Sequence, residues 1–113
     1  MAAITKDDVI PIGTLAGRTG VAVSAIRFYE DKGLIHAVRT GGNQRRFLRS
    51  DIRRISFILI AQRLGLALAE IEEQLATLPE GRTPNVRDWQ KISHSMRAAI
   101  DEKIKLLTRT RAK

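Results

Sequence analysis

Arginine is concentrated in one short segment of this 113-residue sequence. Between residues 39 and 54 the only acidic side chain is that of Asp51. The arginines of this segment are Arg39, Arg45, Arg46, Arg49, Arg53 and Arg54. A guanidinium group forms paired hydrogen bonds with phosphate oxygens and with the edge of guanine. Together with a net charge of +8, the segment favours a nucleic-acid partner; an anionic membrane surface and a merely solvated charged face are the alternatives.

A second group of residues, SAIRFYEDKGLI at positions 24–35, combines an arginine with two aromatic side chains. On a helical projection, the apolar side consists of Ala25, Ile26 and Tyr29. The opposite side consists of Ser24, Arg27, Phe28, Asp31 and Lys32. Phe28 is therefore predicted to be an aromatic residue among polar ones. It either packs against a neighbouring loop or contacts a ligand.

Catalytic and metal chemistry find little support in the sequence. It contains no cysteine, and its two histidines, His36 and His94, are far apart and lack the spacing of metal ligands. The acidic residues at positions 70, 72 and 73 are predicted to form an outward helix face and not an acid–base pair. No apolar run approaches the roughly 18 residues of a membrane span, and no signal peptide is recognisable. We expect a cytoplasmic protein that is not an enzyme.

The elements that position these residues begin with two short helices. The first is predicted from Ile12 to Thr19 and is ended by Gly20. The second follows residues 21–23, with Ser24 near its start and Gly33 in a left-handed position at its end. Two short helices joined across a glycine predict a helix-turn-helix.

A hairpin is predicted next, with strands at residues 34–38 and 44–48 and a turn at residues 41–43. Its tip carries Asn43, Gln44, Arg45 and Arg46, which is typical of a wing beside a helix-turn-helix. A third helix is predicted from Ser50, a candidate N-cap, to Leu64, and a fourth from about residue 68 to residue 78.

The last part of the sequence predicts one long amphipathic helix. Apolar residues recur at intervals of three or four positions, as in a coiled coil: Val86, Trp89, Ile92, Met96, Ile100, Ile104 and Leu107. We expect this seam to pair with the same helix of a second subunit; the alternative is that it folds back on its own domain. The predicted organisation is a flexible N-terminus (1–11), a mainly α winged helix-turn-helix domain (12–78), a linker (79–85) and a dimerisation helix (86–113).

These motifs resemble those of the MerR-type transcriptional regulators, and most closely the redox-sensing SoxR branch. The resemblance is carried by IGTLAGRTGVAVSAIRFYEDKGLI, GGNQRRF, IAQRLGLALAEI and LPEGRT within residues 12–83, and by DWQKISHSMRAAIDEKI after them. It implies a homodimer joined by an antiparallel coiled coil. It also implies binding to a palindromic operator between two promoter elements, which the active dimer bends and untwists for RNA polymerase.

The resemblance also implies which residues meet DNA. They are Ser24, Arg27, Phe28 and Tyr29 of the recognition helix, Asn43, Gln44, Arg45 and Arg46 of the wing, and Arg63. Arg27 would reach a base edge or a phosphate, and Tyr29 would extend its hydroxyl to the DNA backbone. Phe28 departs from the tyrosine that many relatives have, so it could contact a thymine methyl or a sugar but donate no hydrogen bond.

Relatives of the SoxR type hold a 2Fe–2S cluster on four cysteines that follow the dimerisation helix, and this sequence has none. It is either a truncated SoxR-like chain or a relative without the cluster, and we favour truncation. In both cases we expect a colourless protein whose DNA binding is indifferent to oxidants, with Trp89 partly exposed. An architectural or excisionase-like accessory protein, with the same fold but without gene-specific activation, is the remaining alternative.

Overall fold

The computed structural model describes residues 9–40, 44–79 and 84–112. The described elements are β1 (Val9–Ile10), α1 (Ile12–Thr19), α2 (Val23–Asp31), β2 (Ala37–Thr40), β3 (Gln44–Leu48), α3 (Asp51–Arg63), α4 (Leu68–Leu75) and α5 (Val86–Ala112). The predicted fold class is confirmed: a helix-turn-helix and a two-stranded wing are followed by further helices, the last of which is long.

Helices α1 and α2 are joined as the two glycines predict. Gly20 ends α1 with φ 75°, and its N–H bonds to the carbonyl of Ala16. Gly33 follows α2 with the same φ, and the N–H of Leu34 bonds to the carbonyl of Tyr29 at 2.9 Å. Side chains with a Cβ are strained at such angles, so glycine lets the chain turn sharply at both helix ends.

The three strands form one antiparallel sheet in the order β1-β3-β2. β2 and β3 make the predicted hairpin, but β2 spans Ala37–Thr40 and not residues 34–38, because its pairing with β3 begins only at Ala37. Phe47 of β3, which is fully buried, lies opposite both Ile10 and Ala37. The predicted turn at residues 41–43 lies outside the described residues. Val9 and Ile10, which belong to the segment predicted to be flexible (1–11), form an edge strand against β3 that buries Ile10.

Helices α3 and α4 differ from their predictions at the ends. α3 begins after Ser50, but the Ser50 side chain forms no capping hydrogen bond. α4 ends at Leu75, three positions before its predicted last residue, although Leu78 remains buried. A turn at Ala76–Leu78 therefore carries the last apolar side chain into the core without continuing the helix.

Helix α5 begins with a reciprocal cap. The N–H of Asp88 donates to Asn85 Oδ1 at 3.0 Å, and the N–H of Asn85 donates to Asp88 Oδ2 at 2.8 Å. Such a capping box fixes where a helix starts. Of the helices in the described ranges, none combines the length and the apolar character needed to cross a membrane.

The predicted dimer seam on α5 divides into two parts. Trp89, Ile92 and Met96 are buried in the core of their own chain, which leaves little of their surface for a second subunit; their part in the dimer interface stays a prediction. The prediction that Trp89 is partly exposed is wrong, since it retains only 8% of its exposure. These residues pack against α4 and against the adjoining surface of α3, which the other helices of the domain do not cover.

The remaining seam residues lie differently. Ile100 is half-buried against the edge of the core. Val86, Ile104 and Leu107 are exposed, and so is Leu106. The exposed apolar residues near the end of α5 are thus the part of the predicted seam that is still available to a second subunit.

Candidate nucleic-acid interface

Helix α2 presents one face to the core and the other to solvent, as predicted. Ile26 is fully buried and Tyr29 nearly so. Ser24 and Arg27 are exposed, and Phe28 keeps 45% of its exposure. The buried face fixes the orientation of the helix, which leaves a polar surface with one aromatic ring turned outward.

The Phe28 ring is held on this surface by two neighbours. Its centroid lies 5.9 Å from that of Tyr29 in an edge-on arrangement, and the Lys32 Nζ lies 5.6 Å from its centroid. An ammonium over an aromatic face and an edge-on ring pair are both attractive. The packing partners are therefore on the same helix, and the outer part of the ring remains free to contact a ligand.

Tyr29 connects α2 to the end of α3. Its hydroxyl lies 3.4 Å from Gln62 Oε1 and donates to it, and burial raises the pKa of Tyr29, which keeps the hydroxyl protonated. Because the ring belongs to the core, only the hydroxyl remains for the predicted DNA contact, and that contact stays a prediction. The next residue on α3, Arg63, is exposed, so this helix end adds a cation close to α2.

The wing is joined to the recognition helix by an ion pair. Arg45 Nη1 lies 3.2 Å from Glu30 Oε1 in the last turn of α2. In the β2–β3 register, Arg45 lies opposite Arg39 and Arg46 lies opposite Val38. Gln44 is the first residue of β3. Asn43 lies outside the described residues.

Two arginines of the arginine-rich segment contact other parts of the protein. The Arg53 guanidinium lies 5.6 Å from the centroid of the Trp89 ring, and Arg54 Nε lies 3.5 Å from Asp51 Oδ1. Both arginines lie on the first turn of α3; the side chain of Arg54 keeps only 16% of its exposure, whereas Arg53 remains exposed. The binding of DNA phosphates by this segment stays a prediction, and Arg54 is its least accessible member.

Asp51 is the buried carboxylate of this region. It retains 2% of its exposure, and burial raises its pKa to about 7, although the nearby Arg54 and a hydrogen bond from the Leu48 N–H both act in the opposite direction. Its Oδ2 is buried without a hydrogen-bond partner. The carboxyl thus lies at the junction of the wing with α3, where desolvation disfavours the charged form.

The side chains present do not fit a Cys-ligated iron–sulfur cluster. The sequence has no cysteine, and within residues 9–40, 44–79 and 84–112 no three histidine, aspartate or glutamate side chains are grouped so that they could hold a metal ion. Cluster ligation requires thiolates, with histidine replacing them only in part. The interface described here consists of cations, hydrogen-bonding side chains and one aromatic ring.

Comparison with known families matches these features. The MerR HTH family regulatory protein model matches residues 10–78, and a second model, MerR, DNA binding, matches residues 52–113. This chain belongs to the MerR family. It is thus a DNA-binding transcriptional regulator and not an enzyme, as the sequence predicted.

Individual MerR relatives resemble nearly the whole chain. The HTH-type transcriptional activator SoxR homolog of Chromobacterium violaceum is 49% identical over 106 residues, which is 94% of this chain and 72% of that protein. The HTH-type transcriptional regulator HmrR of Rhizobium leguminosarum bv. viciae is 33% identical over 100 residues, 88% of this chain and 77% of that protein. The predicted resemblance to the SoxR branch is confirmed.

Solved MerR structures share the fold. A MerR family transcriptional regulator from Listeria monocytogenes superimposes with a TM-score of 0.62 at 24% identity, covering 89% of this chain and 76% of that one. HiNmlR, a MerR family regulator lacking the sensor domain, was solved bound to promoter DNA. It gives a TM-score of 0.59 at 18% identity and covers 90% and 77% of the two chains.

Two residues of this surface were missed in the sequence. Glu30, in the YED stretch, has the sequence surroundings of an ordinary solvated acid. The only feature that could have indicated its contact with the wing is its place in the helix turn that precedes the hairpin. Asp51 was noticed only as the single acid among six arginines. Helical spacing does bring Asp51 and Arg54 together, three positions apart on α3, but it does not show that Asp51 is buried. The pair of Glu30 with Arg45 joins two separate elements, so periodicity could not have predicted it.

Proposed function

We propose that this MerR-family protein acts as a homodimer that binds and distorts a palindromic promoter operator. The observation that carries the proposal is the outer face of α2, with Arg27 and Phe28 exposed, fixed next to an arginine-bearing wing on one core. A recognition helix in the major groove and a wing at the flanking groove would use these surfaces. HiNmlR, which has the same fold, was solved bound to promoter DNA.

The residues of α2 divide between base reading and positioning. Arg27 is assigned to a base edge or a phosphate, and Ser24 to the DNA backbone. The Tyr29 hydroxyl is assigned to a phosphate, to which it would donate its hydrogen in place of Gln62. Phe28 is assigned to an apolar group of DNA, such as a thymine methyl. Replacing Arg27 with alanine should cost about 1 to 3 kcal/mol and relax the preference at one position of each half-site, if Arg27 reads a base.

The wing and the end of α3 are assigned to phosphates. Asn43, Gln44, Arg45 and Arg46 would line the flanking groove, and Arg63 would add a further phosphate contact. Phosphate contacts dominate affinity and make it salt-dependent. Replacing Arg46 with alanine should therefore weaken binding to all sequences alike and reduce the slope of log K against log salt by about 1.

The dimer is assigned to the exposed end of α5. Ile104 and Leu107 lie three positions apart on one face of the helix and are exposed beyond the part that packs on its own domain. Two such helices running antiparallel would bury these residues and set the two recognition helices about 34 to 36 Å apart, one turn of DNA. A dimer of this kind recognises a palindrome.

We attribute the activation of transcription to distortion of the operator. Bending a duplex of this length costs about 1 to 6 kcal/mol, which contacts with the protein must offset. A dimer with two geometries could then align the promoter elements for RNA polymerase in one of them. Since the polypeptide has no cysteine, we propose that its own DNA binding requires no iron–sulfur cluster and does not respond to oxidants.

The test is selection of bound DNA from a random pool, followed by footprinting and sedimentation of the purified chain. The proposal expects one recurring inverted repeat, a footprint over a promoter and a dimer in solution. Recovery of unrelated sequences without symmetry, with many dispersed footprints, would instead support an architectural protein. Binding of a single half-site by a monomer would contradict the dimer.

A further inference from the structure

The ion pair between Glu30 and Arg45 joins the two elements that are proposed to meet DNA. Glu30 is in the last turn of α2, and Arg45 is the second residue of β3. A two-stranded ribbon is only marginally stable by itself, so its direction depends on what it contacts. A bond from its arginine to α2 therefore fixes the wing relative to the recognition helix.

The two side chains of the pair differ in exposure. Glu30 keeps 17% of its side-chain exposure and Arg45 keeps 46%. The carboxylate is thus mostly covered by protein while the guanidinium extends into solvent. Salt screens a partly covered pair less than an exposed one, so the pair can persist on a surface that faces DNA.

A second arginine faces Arg45 across the wing. Arg39 lies directly opposite on β2, and like charges at facing strand positions repel. The negative charge of Glu30 offsets this repulsion at Arg45. A guanidinium has five N–H donors, so an arginine that gives one Nη1 hydrogen to a carboxylate retains others for a phosphate.

We propose that Glu30 is a positioning residue that holds Arg45 in the orientation required for a DNA phosphate, and that the pair persists in the complex. The inference rests on the proposed function and adds to it a role for an acid at a DNA-binding surface. The inference predicts a change in DNA affinity opposite to the one expected from charge alone. Removing a negative charge near DNA should strengthen binding, whereas removing this one should weaken it.

The experiment compares Glu30→Gln with Asp31→Asn on the selected operator. Asp31 is the adjacent exposed acid on the same helix end, so its replacement removes the same charge without touching Arg45. We expect Glu30→Gln to weaken binding about three- to tenfold and to reduce the salt slope by about 1, which is also the change in slope expected for Arg45→Ala. Asp31→Asn should bind as tightly as the unmodified protein or more tightly.

The double variant decides whether Glu30 acts through Arg45. In an Arg45→Ala background, Glu30→Gln should cause no further weakening. Binding of Glu30→Gln that equals that of Asp31→Asn, or a loss that persists undiminished without Arg45, would overturn the inference. Should Glu30→Gln fail to fold, Glu30→Asp keeps the charge but shortens the reach; weaker binding with a reduced slope supports the inference, and unchanged binding overturns it.

Failure of the proposed function gives a different result. If the unmodified protein selects no DNA site, the function itself is refuted and the inference with it. If it selects a site and the two acid variants behave alike, the inference alone is refuted.

Discussion

The two halves of α5 have apolar residues at the same helical spacing but lie in different surroundings. In the first half, Trp89, Ile92 and Met96 are buried by the chain's own core, and Phe57 lies 5.9 Å from Trp89 between ring centroids. In the second half, Ile104 and Leu107 keep 54% and 69% of their exposure. One pattern therefore serves folding at one end and remains available for association at the other.

The difference shows what helical periodicity determines. Spacing of three and four residues places side chains on one face of a helix, but it carries no information about which surface covers that face. Here the covering surface for the first half is supplied by α3 and α4, and it ends near Ile100. The boundary between the two halves is set by the size of the domain and not by a change in the pattern.

The largest expected effect is a difference in unfolding free energy between substitutions in the first and the second half of α5. Ile92→Ala should lower the free energy of unfolding by about 2 to 5 kcal/mol, because it leaves a cavity at a fully buried position. Ile104→Ala should change it by no more than about 0.5 kcal/mol when measured at a concentration too low for association. Urea denaturation followed by circular dichroism measures both. Equal losses would show that the halves do not differ.

The second expected effect is a pH dependence of the unfolding free energy that dimer dissociation should not share. The pKa of Asp51 is raised to about 7 in the folded protein, above the usual 3.8 of its unfolded state. The folded state therefore retains a proton that the unfolded state loses. The contribution of Asp51 to stability is full below about pH 4 and falls by up to about 1.4 kcal/mol per pH unit until about pH 7.

Replacement of Asp51 by asparagine should remove this dependence. The variant and the unmodified protein should have similar unfolding free energies at pH 4, and the variant should become the more stable of the two as the pH rises to 8. The dissociation of the dimer should show no corresponding difference, because Asp51 lies in the domain core and not at the end of α5. A stability difference that is the same at every pH would contradict the raised pKa.

The third effect concerns association alone. Ile104→Glu should weaken dimerisation at least about tenfold, because a charge enters the proposed helix pair. Ala98→Glu adds the same charge at another exposed position of α5 that is not part of the seam, and should leave the dimer intact. Analytical ultracentrifugation distinguishes the two variants. A dimer that survives Ile104→Glu would place the subunit interface elsewhere.

The smallest effect tests how the first half is held. Arg53→Ala should lower the unfolding free energy by about 0.5 to 1 kcal/mol, since the guanidinium contacts the Trp89 ring. Arg87→Ala removes an exposed arginine from the start of the same helix and should have no measurable effect. If the two variants unfold alike, the contact with Trp89 contributes nothing to the packing of α5.

Local signals in the sequence predicted the DNA-binding half of the molecule well. The positions of Gly20 and Gly33, the two faces of α2 and the presence of a hairpin with its second strand at residues 44–48 all follow from rules that act over a few residues, although the first strand lies at residues 37–40 and not at 34–38. The exposure of Phe28 follows in the same way. These features need no knowledge of distant parts of the chain.

Contacts between distant segments were less predictable. Strand β1 has only two residues, too few to show a pattern, and it is stable only because β3 lies beside it. Likewise, Trp89 is buried because α3 brings Phe57 and Arg53 against it. The contact of Arg54 with Asp51, in contrast, is local, since the two residues are three positions apart on α3.

The attachment of α5 also has a mechanical consequence. The helix packs on its own domain as far as Ile100, and its remaining residues extend about 18 Å to Ala112 at 1.5 Å per residue. A tilt of about 10° at Ile100 would move the far end by about 3 Å at that length. The helix therefore acts as a lever arm, in which a small rearrangement of the packing around Ile100 becomes a larger displacement towards Ala112.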